Sequence, residues 1–201
     1  SNLPFILLPE SLTMLSASTF DSCRNLQSIT IPSMIHSIEP LTFHECLHLE
    51  NVTLTDGLVS IFFSSFYSCT SLKRINLPDS VITIDSYVFQ HCSALDNIII
   101  PNLVEEISPY TFSSCSSLKH ISLSNSLISI SSGAFGYCSN LTDLIIPSQV
   151  SRISSYAFQF CSLLDNVIIS NNVNVISSDT FSHCTSLQNI SLSSSVAIIS
   201  N

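Results

Sequence analysis

Charge is the first thing this sequence has little of. Only 9% of its 201 residues are Asp, Glu, Lys or Arg, against roughly 25% in an ordinary soluble domain. Five basic residues face 14 acidic ones, for a net charge of −9. Such a chain repels phosphate backbones, which excludes nucleic acid as a partner. There is no Trp, and the three Gly are Gly57, Gly133 and Gly136. A Gly-rich phosphate loop therefore has nothing to be built from. No G-x-S-x-G elbow is present to expose a nucleophilic Ser. No apolar run reaches the roughly 18 residues needed to cross a bilayer as a helix. The start, Ser1-Asn2-Leu3-Pro4, lacks the charged region of a signal peptide.

What the chain does have is regularity. Hydrophobic residues make up 45%, ample for a buried core, and Ser alone accounts for 43 residues. Cys23, Cys46, Cys69, Cys92, Cys115, Cys138, Cys161 and Cys184 follow one another at a spacing of 23. Phe keeps the same step from Phe20 to Phe181, Leu from Leu26 to Leu187, and Ile from Ile38 to Ile199, with no insertion or deletion. Two further apolar series, beginning at Ile29 and Ile31, share the register. The unit reads F-x-x-C-x-x-L-x-x-I-x-I-P-x-x-V-x-x-I-x-x-x-[TA]-F, with Pro9, Pro32, Pro78, Pro101 and Pro147 at the Pro position. A fixed period of this kind is the signature of a stacked solenoid.

One coil of 23 residues cannot bury its own apolar side, whereas stacked coils turn the Phe, Cys, Leu and Ile positions into continuous interior ladders. The segment Leu26-Gln27-Ser28-Ile29-Thr30-Ile31 suits a short strand. Identical strands one coil apart pair in parallel, and the following Pro ends each strand. The stretch from Val81 to Ile84 and its equivalents fits either a second short strand or an extended turn. The spacing of three in [TA]-F-x-x-C-x-x-L fits one tight helical turn. With no linker or composition shift, residues 1–201 are expected to form a single domain of about eight repeats plus partial coils. Leu3, Ile6, Leu8 and Pro9 align with Leu26, Ile29, Ile31 and Pro32, and the chain stops at Asn201 just past Ile199. Neither end carries a polar capping unit, so the expectation is a piece of a longer array, with end-to-end self-association through the open coils.

The units resemble leucine-rich repeats of the BspA-like type. Leu95-Asp96-Asn97-Ile98-Ile99-Ile100-Pro101 and Ala157-Phe158-Gln159-Phe160-Cys161 carry the resemblance, which extends over essentially the whole chain. It implies a leucine-rich-repeat, right-handed curved solenoid with a parallel β-sheet on the concave side and short turns or helical turns opposite. It further implies cell-surface or secreted proteins of mucosal bacteria and anaerobic protozoa that adhere to host matrix proteins or cells, with a place in virulence. Two departures are visible. Glu39, Phe62, Asp85, Ser108, Ser131, Ser154 or Ser177 stands where the family often has Gly, and the Asn ladder of commoner leucine-rich repeats is missing.

Eight Cys in one register suit a ladder of small buried residues better than a disulfide framework. A collinear column cannot surround a tetrahedral metal, so no metal and no cofactor are expected. His36, His44, His48, His91, His120 and His183 fall in variable columns, which are solvent-facing in a solenoid, and no enzymatic role is expected. The variable strand positions are where such proteins bind. The outward column holds Asn76, Ile99, Ser122, Ile145 and Ile168 among its members. Its three Ile read either as an apolar anchor for a protein or glycan partner or as strand formers that tolerate exposure. Lys73-Arg74 and Lys119-His120 add a mildly basic middle that would steer a partner more than hold it. Asn51, Asn140 and Asn189 sit in N-x-[ST] sequons, which matter only on a secretory route.

Three function classes follow. The leading one is a cell-surface adhesion or recognition module for a host protein. The second is a cytoplasmic scaffold, where Cys would stay reduced. The third, ice binding, is suggested by polar ladders such as Ser131-Ser132 and Ser154-Ser155, although those ladders are Ser rather than Thr. In none of the three does this stretch insert into a membrane.

Overall fold

The computed structural model describes residues 3–200; Ser1, Asn2 and Asn201, which bound the open-ended reading above, lie outside them. Among the described residues every regular element is a β-strand of two or three residues, and none is helical. The strands form two columns. The first holds Phe5–Ile6, Ser28–Thr30, Asn51–Thr53, Asn97–Ile99, His120–Ser122, Asp143–Ile145, Asn166–Ile168 and Asn189–Ser191. The second holds Ser37–Ile38, Ser60–Ile61, Thr83–Ile84, Glu106–Ile107, Ser129–Ile130, Arg152–Ile153, Val175–Ile176 and Ile198–Ile199. The Val-to-Ile stretch is thus a second strand. Pairing is parallel in both columns and joins residues 23 apart, such as Ile29 with Val52 and Ile130 with Ile153.

The first column is not continuous. It divides into sheets of three, two and three strands, because no strand forms at Arg74–Asn76 and none pairs His120–Ser122 with Asp143–Ile145. The second divides between Thr83–Ile84 and Glu106–Ile107.

The segment around [TA]-F-x-x-C corrects the expectation of a helical turn. It is a chain of β-turns, each closed by an N–H to the carbonyl three residues back. In one coil Thr111 N donates to Ser108 O, Ser113 N to Tyr110 O and Cys115 N to Phe112 O, at 3.3, 3.1 and 3.1 Å. Two residues per coil take a left-handed φ, here Tyr110 at 55° and Ser114 at 63°. A turn with φ > 0 at its third position interrupts a right-handed helix and redirects the next N–H. Those N–H groups point along the stack. Tyr87, Phe89 and His91 donate to the carbonyls of Pro109, Thr111 and Ser113 in the next coil, at 3.1, 2.9 and 2.9 Å. The turns therefore make a third inter-coil ladder that satisfies backbone groups no strand serves. The Thr of the [TA] position contributes locally, since Thr42 and Thr111 Oγ1 donate to the carbonyls of Glu39 and Ser108 at 2.7 and 2.8 Å.

The interior is one apolar cluster running from Leu15 to Ile176. The Phe rings stack from Phe20 to Phe181 with centroids 5.2–5.6 Å apart, and each such pair adds about 0.5–1.5 kcal/mol beyond its buried area. The Cys column lies beside them. Cys46 Sγ donates to Phe20 O at 3.1 Å, and the pattern repeats to Cys184 and Phe158 at 3.1 Å. Each of these seven thiols, from Cys46 to Cys184, thus ties its coil to the Phe carbonyl of the coil before it. Burial pushes the thiols of Cys46, Cys92 and Cys138 up to about 12 from an ordinary 9.0. Cys69, Cys115 and Cys161 are raised as well, first by burial and then by the neighbouring thiols.

Candidate functional site

The alternation of inward Ile29, Val52, Ile98, Leu144 and Val167 with outward neighbours places the central residue of these five first-column strands in the core and turns their flanks outward. Ile99 and Ile145 are each 71% exposed and Ile168 is 53% exposed. Ile145 lies directly beside Ile168 in the strand register, and Ile168 beside Ser191. Ile99 pairs with Ser122 instead, and the sheet is interrupted between Ser122 and Ile145. The structure therefore brings two of the three Ile together and sets the third apart. Apolar side chains that are more than half exposed on adjacent strands lie outside this core.

The basic residues of the same face, Lys73, Arg74, Lys119 and His120, are exposed, and Asp96 is half-buried. Asp96 stands between the two basic pairs, and Arg74 Nε lies 3.4 Å from Asp96 Oδ1. Lys73, Lys119 and His120 remain open to solvent. Where the strand column is interrupted, Asn51, Thr53, Arg74 and Asn76 line a shallow notch of about 180 Å³. Asn51 and Asn189 are exposed on the strand face, whereas Asn140 is half-buried. Asn189 Nδ2 donates to Asn166 Oδ1 at 3.0 Å. No cluster of metal-ligating side chains exists among the described residues, and no helix there is long and apolar enough to cross a membrane.

A second face escaped the sequence reading. All five Tyr lie within two residues of a repeat Phe, and that is the signal that marks them. It places them on the outer side of the β-turns. Tyr87 stacks on Tyr110 at 5.2 Å, Tyr137 on Phe160 at 4.7 Å, and Phe160 on His183 at 4.2 Å. His44 stacks on Tyr67 at 5.0 Å and is itself half-buried, so this His is not simply solvated. Tyr137 and Tyr156 keep 50% and 42% of their surface exposed. Two clefts open between these rings, of about 320 Å³ and 550 Å³, and both touch Tyr137.

Comparison with known proteins bears on the fold and the family. No curated protein matches the sequence. Among solved structures, a leucine rich cell surface protein from Faecalibacterium prausnitzii A2-165 is 25% identical with a TM-score of 0.48; the match covers 89% of this chain and 63% of that one. The chain thus spans less than two thirds of that protein. A leucine-rich repeat protein from Bacteroides ovatus is 21% identical, covering 97% of this chain and 70% of the other at a TM-score of 0.46. The T. pallidum leucine rich repeat protein is also 21% identical, with coverage of 99% and 74% and a TM-score of 0.48. The family description "BspA type Leucine rich repeat region (6 copies)" matches residues 1–119 and 82–201. With that match added to the 23-residue coils and their inward Phe, Cys, Leu and Ile columns, the chain belongs to the BspA-type leucine-rich repeat family.

Proposed function

We propose that this protein is a non-catalytic recognition module, displayed at a cell surface, that binds a host surface or matrix protein through its first strand column. Membership of a leucine-rich repeat family supports a protein-interaction role. The observation that carries the choice of face is the paired exposure of Ile145 and Ile168 in strand register. An apolar pair rimmed by Ser122, Ser191 and Asn166 has the layout of an interface core with a polar rim. Ile99 stands apart from this pair, nearer the Lys119-His120 and Lys73-Arg74 segments. Those cations would govern encounter more than residence, because exposed charges are screened by salt.

The test is binding to arrayed matrix and host-surface proteins by the wild type and by an Ile145→Asp/Ile168→Asp double variant of unchanged thermal stability. Loss of the wild-type signal in the double variant is expected, and unchanged binding overturns the choice of face. Protease treatment of intact cells of the source organism tests display. Degradation of the protein in unbroken cells is expected, and full protection there favours the cytoplasmic alternative.

A further inference from the structure

We infer that the smaller cleft on the turn face is a saccharide subsite that takes one ring of a neutral glycan. The site is built by two glycines in one coil. The column that carries Tyr87, Tyr110 and Tyr156 has Gly133 between the last two, and all seven other coils place a side chain there. The neighbouring column, with His44, Tyr67, Gln90 and Gln159, has Gly136 in the same coil. Two side chains are thus missing side by side; the Tyr110 ring takes the place of the first, and the cleft opens beside the two glycines. Gly133 has φ +61°, and a Cβ on it would lie 2.4 Å from Tyr110 Cε1. The Tyr110 ring therefore rests over bare backbone and lines the cleft together with Tyr156. Tyr137 completes the aromatic lining, and Ser113 and Gln159 supply its polar side chains.

The chemistry of this lining selects the ligand. No charged side chain contributes to it, so a phosphate or a carboxylate finds no counter-charge there. The faces of Tyr rings are electron-rich and attract the weakly positive C–H groups that one face of a pyranose presents. Gln159 and Ser113 offer both donors and acceptors for hydroxyl groups at the ring edge. A volume of about 320 Å³ is at the lower end of small-molecule sites, which suits a single ring. The adjoining cleft of about 550 Å³, lined by His91, Phe160 and Ser114 among others, shares Tyr137 and gives a longer chain room to continue. A proline-rich peptide fits less well. Its binding grooves combine aromatic rings with a donor reaching the peptide carbonyls, a task suited to the Trp indole, and this chain has no Trp.

The test is a printed array of neutral, sialylated and sulfated glycans together with a polyproline peptide. Titration of positive glycans follows by Tyr fluorescence, which no Trp obscures here. Wild-type protein is expected to bind at least one neutral glycan with a Kd on the order of 1 mM or tighter. Gly136→Tyr fills the cleft with a side chain already accommodated at Tyr67 in the same column, and it should weaken binding at least tenfold. Tyr156→Ala should do the same without adding bulk, so a fold defect in one variant leaves the other informative. The Ile145→Asp/Ile168→Asp variant should bind glycan like the wild type, which separates this site from the protein-binding face. No glycan binding, binding restricted to charged glycans or to the polyproline peptide, or neutral-glycan binding that survives both cleft variants would overturn the assignment.

Discussion

At the scale of single residues, the cysteines show how one small side chain meets two demands. The site beside the Phe stack is buried, and the Phe carbonyl of the preceding coil faces it. A thiol fills the space and donates a weak hydrogen bond. Because burial holds Cys46, Cys92 and Cys138 up to about 12, these groups stay protonated in the fold where the unfolded chain ionises above about 9. The unfolded state then binds fewer protons, so stability is complete below pH 9 and falls as pH rises toward 12. Each such thiol contributes up to about 1.4 kcal/mol per pH unit. Urea unfolding at pH 8 and pH 10.5 should show a lower midpoint at the higher pH, and Cys92→Ala should reduce that difference. Ser65 is the opposite case. Its Oγ is buried with no hydrogen-bond partner, while the same column holds Val88, Ala134 and Ala157 in other coils. An unsatisfied buried hydroxyl costs about 1–3 kcal/mol, so Ser65→Ala should raise stability by about 1 kcal/mol in the same assay.

At the scale of elements, the β-turn chain is the part the sequence pattern concealed. Apolar residues three apart are shared by a helical turn and by two successive β-turns, so periodicity alone does not separate them. The distinction lies in φ > 0 at positions filled by Ser, Tyr, His, Leu and Glu as well as Gly. Residue type does not announce that conformation, which the inter-coil hydrogen bonds enforce. The second strand was undecided for a related reason, since two residues paired only with their equivalents in neighbouring coils leave little local signal. The Phe column, in contrast, was legible from its period. Phe112 lies between Phe89 and Phe135 at 5.5 and 5.4 Å and is fully buried. Phe112→Ala should cost about 3–5 kcal/mol. Because each coil contacts only its neighbours, the loss should appear as faster amide exchange in the coils of Phe89 and Phe135 before those farther away. Uniform acceleration along the whole chain would contradict a nearest-neighbour stack.

At the scale of the molecule, the solenoid offers two dissimilar outer surfaces. The strand face carries the Ile pair with Lys73, Arg74, Lys119 and His120, and the turn face carries the five Tyr. Selective loss of protein binding in Ile145→Asp/Ile168→Asp, with thermal unfolding within about 0.5 kcal/mol of the wild type as for surface substitutions, is the outcome expected of a site separate from the core. The strand-face candidates were readable because outward strand positions alternate with inward ones. The turn-face cleft was not, because it depends on where the Tyr110 ring leans once Gly133 leaves it space.

The sequence by itself determined the coil length, the inward columns, the parallel stacking and the family. All of these follow from a strict 23-residue period in which equivalent residues must meet their copies. Only the tertiary structure decided that the turns form a third hydrogen-bonded ladder, that the strand face is interrupted between Ser122 and Ile145, and that missing side chains at Gly133 and Gly136 open a cleft. Those features arise between coils, where backbone groups and side chains compete for space and partners, and no single repeat encodes the result.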